Sequence, residues 1–236
     1  MTHLHTQVEM LKLVARALGP DLREQMTFVG GCTTGLLVTD QFTRELVRST
    51  DDVDLIVNVM GYSSYISLQK KLGERGFKLC PPSPGEKMPI CAMKLGELRV
   101  DFMPDDESVL GFSNRWYREA VLTSTDYFLE EELKIRLINP TYFISTKLEA
   151  YKGRGFGDVL ESRDIEDILN VVDGRSELVD EIKLASEEIR DYIGKEISEL
   201  LEDQNFGYAI QSHAKGNKAR EDLLYNRLET FAGRGH

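Results

Sequence analysis

The stretch that most constrains the fold of this chain is Arg48–Val57, Arg-Ser-Thr-Asp-Asp-Val-Asp-Leu-Ile-Val. Its second half alternates polar with apolar residues, which predicts a β-strand with Val53 and Leu55 facing the core. Asp52 and Asp54 lie two residues apart, so both carboxylates leave the opposite face of that strand. Neighbouring carboxylates repel each other unless a cation lies between them. Taken alone, such a pair on a strand is more often simply solvated, so the stretch predicts the strand, and a cation site depends on the features that accompany it.

A glycine pair precedes this strand. Met26–Val29 is a short apolar run that predicts a strand, and Cys32–Val38 predicts the start of a helix. Gly30 and Gly31 between them permit a tight turn because neither has a Cβ atom. Backbone N–H groups at the start of such a helix suit phosphate groups. Taken alone, the pair is better interpreted as an ordinary turn from strand to helix.

A third carboxylate lies further along the chain. Leu98–Met103 predicts a strand that carries Asp101, and Gly96-Glu97 is a good hairpin turn from the preceding strand, Ile90–Leu95. Three carboxylates converging on one point would supply the hard oxygen ligands that Mg²⁺ requires.

Together these features resemble the DNA polymerase β-like nucleotidyltransferase superfamily. The resemblance implies that Asp52, Asp54 and Asp101 hold two Mg²⁺ ions, which carry an incoming NTP such as ATP. It also implies that Gly30 and Gly31 form the turn beside the phosphates. Many members have serine in place of the second glycine of the pair. Thr33 is the nearest residue that could supply the missing hydroxyl.

A second block narrows the resemblance. Lys147–Arg154 followed by Ser162–Ile168 is similar to the AbiEii-type branch, known for toxins of toxin–antitoxin pairs and abortive phage-infection systems. The upstream signature of that branch, Arg-x-Thr-x-Asp-hydrophobe-Asp, begins here at Arg48 and implies a place for that residue near the nucleotide. The resemblance also implies that Lys147 and Asp164 are site residues, with Lys147 near the triphosphate.

The same block has a structural interpretation, as two amphipathic helices with core positions at helical spacing. Asp164 and Asp167 lie three residues apart on one helix face and could pair with Lys147 or Arg163. For Arg154 and Asp167 a structural ion pair is at least as good an interpretation as a functional one.

The expected activity is transfer of an NMP from an NTP to an acceptor hydroxyl. The resemblance favours RNA as acceptor, with the 3′ end of tRNA first, and a cognate antitoxin protein as partner. A protein hydroxyl or a small antibiotic-like molecule stays open as acceptor. The alternative outside the enzyme class is a catalytically silent module that binds a nucleotide or a partner.

Composition limits the partners and the compartment. No run approaches the ~18 apolar residues of a membrane span. The three cysteines, Cys32, Cys80 and Cys91, are odd in number and widely spread, which favours a reducing, cytoplasmic compartment. The formal net charge of −11 repels nucleic acid as a whole. A basic excess follows Ser212, with cations at Lys215, Lys218, Arg220, Arg227 and Arg234.

The fold class expected is α+β, with two domains. Residues 1–140 would form a nucleotidyltransferase core, a small mixed sheet with flanking helices, and residues 141–236 a helical domain that completes the active-site cleft. Other expected elements are helices over residues 4–18 and 62–75, strands over 77–80, 120–125 and 133–138, and one long amphipathic helix from Leu178 to Leu200 capped by Ser176. Pro81–Gly85 and Gly153–Gly157 are expected to be loops.

Overall fold

The computed structural model describes residues 3–80, 91–154 and 157–234. The chain divides into two compact units, one from Met1–Thr33 and Arg48–Asn139 and one from Thr34–Val47 and Pro140–His236. None of the helices in the described ranges is long and apolar enough to cross a lipid bilayer. The expected α+β class is confirmed, since a mixed sheet is accompanied by a helical C-terminal region.

The described ranges contain twelve α-helices and seven strands. In chain order the helices are α1 His3–Arg23, α2 Thr34–Leu37, α3 Gln41–Leu46, α4 Tyr62–Glu74, α5 Glu107–Leu110, α6 Tyr117–Thr123, α7 Pro140–Gly153, α8 Arg163–Gly174, α9 Leu178–Leu184, α10 Glu187–Leu201, α11 Gln204–Ala214 and α12 Lys218–Phe231. The strands are β1 Met26–Val29, β2 Asp52–Val57, β3 Phe77–Leu79, β4 Ala92–Leu95, β5 Leu98–Pro104, β6 Thr125–Glu130 and β7 Leu133–Leu137.

The first unit is built on one seven-stranded sheet with the order β3-β4-β5-β2-β1-β7-β6. Strand β2 runs parallel to β5, and β1 runs parallel to β7, whereas the other neighbours are antiparallel. Val53 and Leu55 of β2 are fully buried, as the alternation predicted. The hairpin at Gly96-Glu97 is also confirmed, because Leu95 and Leu98 are register partners.

The second unit consists of helices α2, α3 and α7–α12. Helix α8 lies at its centre and packs against α7, α3, α11 and α12. It begins at Ser162, whose hydroxyl accepts the backbone N–H of Ile165, as a helix N-cap does. Its C-terminal Gly174 leaves no room for a Cβ atom, which would lie 2.5 Å from Cγ1 of Val38. The close approach of the α2–α3 segment to α8 therefore depends on a glycine here.

Three expectations for individual elements were wrong. The strand expected over residues 120–125 is the end of α6, and β6 begins only at Thr125. The β-branched residues Val121, Thr123 and Thr125 favour a strand locally, but α6 buries Ala120 completely, and packing overrides propensity. The helix expected over residues 4–18 is confirmed, because the helical backbone of α1 is interrupted at Gly19, which has φ +64° and ψ 168°. A short helical turn follows from Pro20 to Arg23, where proline is tolerated as a first residue.

The long helix expected from Leu178 to Leu200 is in fact two helices, α9 and α10, separated by Ala185 and Ser186. Both helices bury the same apolar series, so its periodicity continues across the break. Both also pack against α7 and α12. The residue before α9 is Glu177, so Ser176 is not its cap. The loop expected over Pro81–Gly85 lies outside the described residues, as do residues 155 and 156 of the one expected over Gly153–Gly157, and Gly153 is the last residue of α7.

Candidate active site

The glycine turn after β1 is packed directly onto an aspartate of β2. Val29, the last residue of β1, is the register partner of Asp54. Gly30 follows with φ +73°, and a Cβ atom built on it would lie 2.7 Å from Cγ and 2.8 Å from Cβ of Asp54. Only glycine accommodates both that backbone conformation and that approach. The sequence places a glycine here because the Asp54 carboxylate lies against the turn.

The parallel register of β2 and β5 brings the predicted carboxylates together. Asp54 is the register partner of Asp101, and Asp52 is the register partner of Arg99. Register partners on neighbouring strands share a face of the sheet, so all four side chains leave the same face. On the other side of β5, Arg99 is opposite Lys94 of β4. Three acidic and two basic residues thus occupy neighbouring positions on one face of the sheet.

Two of these aspartates are held by neighbouring side chains. Asp101 is 8 % exposed and accepts two hydrogen bonds from Arg99, 2.9 Å from Nε to Oδ1 and 2.7 Å from Nη2 to Oδ2. The hydroxyl of Thr50 donates to Oδ1 of Asp52. Arg99 therefore engages both carboxylate oxygens of Asp101, and Thr50, which lies just before β2, orients Asp52.

The carboxylates dominate the electrostatics of this face. Burial raises the pKa of the Cys32 thiol far above its usual range, and the negative charges of Asp54 and Asp52 raise it further. Burial also raises the pKa of Cys91 to about 12, with Asp101 as the next cause. The Arg99 guanidinium has a raised pKa because it donates to Asp101, and the charges of Asp101 and Asp52 add to this. The aspartates contribute to all three shifts with the sign expected of a negatively charged face, although burial is the main cause for the two cysteines.

The other predicted residues of this unit support the turn. The Thr33 side chain is fully buried and its hydroxyl donates to the Gly30 carbonyl oxygen over 2.8 Å, so it stabilises the turn itself. Gly31, also buried, begins the single 3₁₀ turn that ends at Thr33. Arg48 is half-buried at the entry to β2. Its carbonyl oxygen accepts a hydrogen bond from Nε2 of Gln7 over 2.8 Å.

The three carboxylates have the right chemistry for Mg²⁺, because they supply hard anionic oxygen ligands from one face. Across residues 3–80, 91–154 and 157–234, however, no three His, Cys, Asp or Glu side chains are arranged as ligands of one metal ion. Both oxygens of Asp101 accept hydrogen bonds from the Arg99 guanidinium instead. The donor set fits the metal provided that the Asp101 carboxylate leaves Arg99.

In the second unit, Lys147 and Asp164 form part of a buried ion-pair cluster. Nζ of Lys147 lies 2.7 Å from Oδ2 of Asp167 and 3.2 Å from Oδ1 of Asp164, and the side chain is only 11 % exposed. Arg154 donates to the other oxygen of Asp164. The structure therefore contains the ion pairs that the alternative interpretation of this block expected. The four charges sum to zero, and they join α7 to α8.

The basic run near the C-terminus is largely engaged within the second unit. Arg220 donates to Asp173 over 2.7 Å, and Arg227 donates to the carbonyl oxygens of Val172 and Asp173. Arg234 donates to Ser198 and Glu202. Lys218 is exposed and pairs with Glu221 and Asp222, and Lys215 is exposed at the end of α11. Most of these cations neutralise acids of their own unit.

Sequence reasoning assigned no role to two groups that the structure makes prominent. Arg99 lies within the predicted strand Leu98–Met103, and its spacing of two residues from Asp101 on a strand is the signal for a shared face. Asp173 accepts hydrogen bonds from Arg220 and His213, which lie 47 and 40 residues away in the chain. No local pattern marks Asp173 in the sequence.

Comparison of the chain with models of known protein families, and with curated proteins, gives no match.

Proposed function

We propose that this protein is a Mg²⁺-dependent nucleotidyltransferase: an acceptor hydroxyl attacks the α-phosphorus of an NTP and takes the NMP, and pyrophosphate leaves. The observation that carries the proposal is the register that places Asp54 beside Asp101, with Asp52 on the same face and the Gly30 turn against Asp54. Sequence resemblance to the DNA polymerase β-like superfamily supports the same reaction. The resemblance rests on the same residues, and the register adds that Asp54 and Asp101 are neighbours on one face of the sheet.

In this proposal Asp52, Asp54 and Asp101 would hold Mg²⁺. When bound, Mg²⁺ would neutralise charge on the triphosphate and lower the pKa of the acceptor hydroxyl. Thr50 orients Asp52 through its hydroxyl. The parallel pairing of β2 with β5 fixes the spacing of Asp54 and Asp101. The turn after β1 would lie beside the phosphates. The protein contributes positioning and charge neutralisation, which are the main requirements of phosphoryl and nucleotidyl transfer.

The acceptor in this proposal is RNA, with the 3′ end of tRNA first, and its support is the resemblance to the AbiEii-type branch. The C-terminal cations add little to it, because Arg220, Arg227 and Arg234 have partners within their own unit. The same resemblance supports a cognate antitoxin as partner. A protein or a small hydroxylated compound is the competing acceptor, and labelling distinguishes them directly.

A second candidate function is a nucleotide- or partner-binding module without catalysis. The bidentate pair between Arg99 and Asp101 favours it, because a guanidinium can take the place of a metal ion as the counter-charge of a carboxylate. In such a module Asp101 would stay on Arg99 whether or not a ligand is bound.

The test is incubation of the protein with Mg²⁺, each α-labelled NTP in turn, and either total RNA or a protein extract. Wild type should transfer label to one acceptor class, and Asp54→Asn and Asp101→Asn should lose transfer while they keep a cooperative melt. Asp51→Asn is the matched control, because Asp51 is an exposed neighbour that precedes β2. Label transfer that persists in Asp54→Asn would overturn the proposal. Nucleotide binding without transfer by wild type would favour the silent module.

A further inference from the structure

The pair between Arg99 and Asp101 is unusual among the ion pairs of the first unit, because it lies within the cluster of carboxylates. Arg99 and Asp101 are two residues apart on β5, and their register partners on β2 are Asp52 and Asp54, respectively. Asp101 is nearly buried, and Arg99 is about one-third exposed, so the arginine forms the solvent side of the pair.

We propose that Arg99 is a latch on this site: it holds Asp101 in the metal-free protein and must release it before the three carboxylates can act together. This inference rests on the proposed function, because it assumes that the carboxylates bind a divalent cation. Arg99 is a positioning residue in this scheme. It acts through Asp101, whose two carboxylate oxygens accept its hydrogen bonds.

The charges on this face of the sheet explain why Asp101 needs a counter-ion in the metal-free protein. Asp52, Asp54 and Asp101 carry three negative charges, and their neighbours Arg99 and Lys94 carry two positive ones. Without Arg99 the carboxylates would repel each other on adjacent positions of one sheet face. With it, the free protein is stabilised, and a metal ion has to compete with a bidentate guanidinium for Asp101.

Competition between Arg99 and a divalent cation for Asp101 predicts the direction in which the affinity for the cation changes when Arg99 is replaced. Replacing Arg99 by alanine removes the competitor, so the affinity for a divalent cation alone should rise by about tenfold or more, the scale of a charge-assisted hydrogen-bond pair. The same variant should be less stable than wild type in EDTA, because the carboxylates have lost their counter-ion. Metal should restore its stability. A residue with a purely structural role would lower stability with and without metal alike.

The experiment measures Mn²⁺ binding to the full chain without nucleotide, by calorimetry, alongside melting temperatures in EDTA and in Mn²⁺. Arg75→Ala is the matched control, because Arg75 also bridges both oxygens of an aspartate in this unit, at 2.8 and 2.7 Å to Asp21. It should leave Mn²⁺ affinity unchanged. If Arg99→Ala folds poorly, Arg99→Gln keeps most of the side chain and removes the charge.

A double variant tests whether the effect passes through Asp101. In an Asp101→Asn background, Arg99→Ala should no longer raise Mn²⁺ affinity, because the pair is already broken. The proposal is overturned if Arg99→Ala binds Mn²⁺ as wild type does, or if its gain persists beside Asp101→Asn. If wild type transfers label in that case, the proposed function stands and the latch alone fails. If neither wild type nor Arg99→Ala binds Mn²⁺ and no label is transferred, both fail.

Discussion

Substitution of Gly30 by alanine tests the close approach of the turn after β1 to Asp54. Two costs add in this variant. Alanine at φ +73° is strained, by roughly 1–2 kcal/mol. Its Cβ atom would also lie 2.8 Å from Cβ of Asp54, an atom that the strand backbone holds in place. Rotation of the Asp54 side chain cannot relieve that contact, so the backbone of the turn or of β2 has to shift.

Overpacking of this kind costs about 1–3 kcal/mol. We therefore expect Gly30→Ala to lower the free energy of unfolding by about 2–5 kcal/mol, a fall in Tm of roughly 4–20 °C for a chain of this size. Urea denaturation followed by circular dichroism measures the first quantity, and calorimetry the second. We also expect label transfer to be lost, because the substitution displaces Asp54.

Gly111→Ala is the matched control. Gly111 has φ +80°, but a Cβ atom there would meet no other atom within 4 Å. It therefore reports the backbone strain alone. Equal destabilisation by the two substitutions would refute the argument, because it would show that Asp54 does not press on the turn. The difference between them should shrink when Asp54 is replaced by alanine, which removes the carboxylate but keeps Cβ.

Three further predictions concern stability and reactivity. Lys147→Ala should lower the free energy of unfolding by about 3–5 kcal/mol in urea denaturation, because it removes a buried cation from two carboxylates. Lys218→Ala on the exposed surface should cost far less, and similar losses in the two variants would contradict the buried-pair interpretation. Burial raises the pKa of Asp173, but hydrogen bonds from His213 and Arg220 outweigh burial and hold this pKa below its ordinary value. The ionised Asp173 therefore stabilises the folded protein fully above about pH 4, and this stabilisation is lost as the pH falls through the lowered pKa. Asp173→Asn should therefore flatten the loss of unfolding free energy below about pH 4, and an unchanged acid limb would contradict this. Ellman's reagent at pH 8 should modify half-exposed Cys80 first, because Cys32 and Cys91 are buried and their thiols have raised pKa values; rapid modification of Cys80→Ser would contradict the burial.

Much of the first unit could be predicted from the sequence. The alternation around Asp52 and Asp54 predicts strand β2 and the face on which both carboxylates lie, because side chains alternate along every strand whatever its partner. The glycine pair predicts a turn, and the Gly96-Glu97 turn predicts the hairpin that delivers Asp101. In the second unit, the sequence also predicts the pairing of Lys147 with Asp164 and Asp167, as one interpretation of two adjacent amphipathic helices. These signals are local.

The tertiary structure decided which of these groups meet. The parallel register of β2 with β5 places Asp101 beside Asp54, and no pattern within either strand sets that register. It also places Arg99 opposite Asp52, and the arginine then folds back onto Asp101. The requirement for glycine at position 30 likewise arises from the approach of another strand. Strand partners are selected by burial of apolar area across the whole sheet, which is a non-local quantity.

The same division explains the second unit. The sequence by itself determined a series of amphipathic helices, because apolar residues at intervals of three and four mark one face of a helix. It could not show that the apolar series from Leu178 is broken at Ala185, since both helices bury the same face. Nor could it show that Arg220 lies on Asp173, since a run of cations does not reveal its counter-ions. Periodicity depends on the backbone of one element, whereas ion pairs and helix breaks depend on what the folded chain brings next to it.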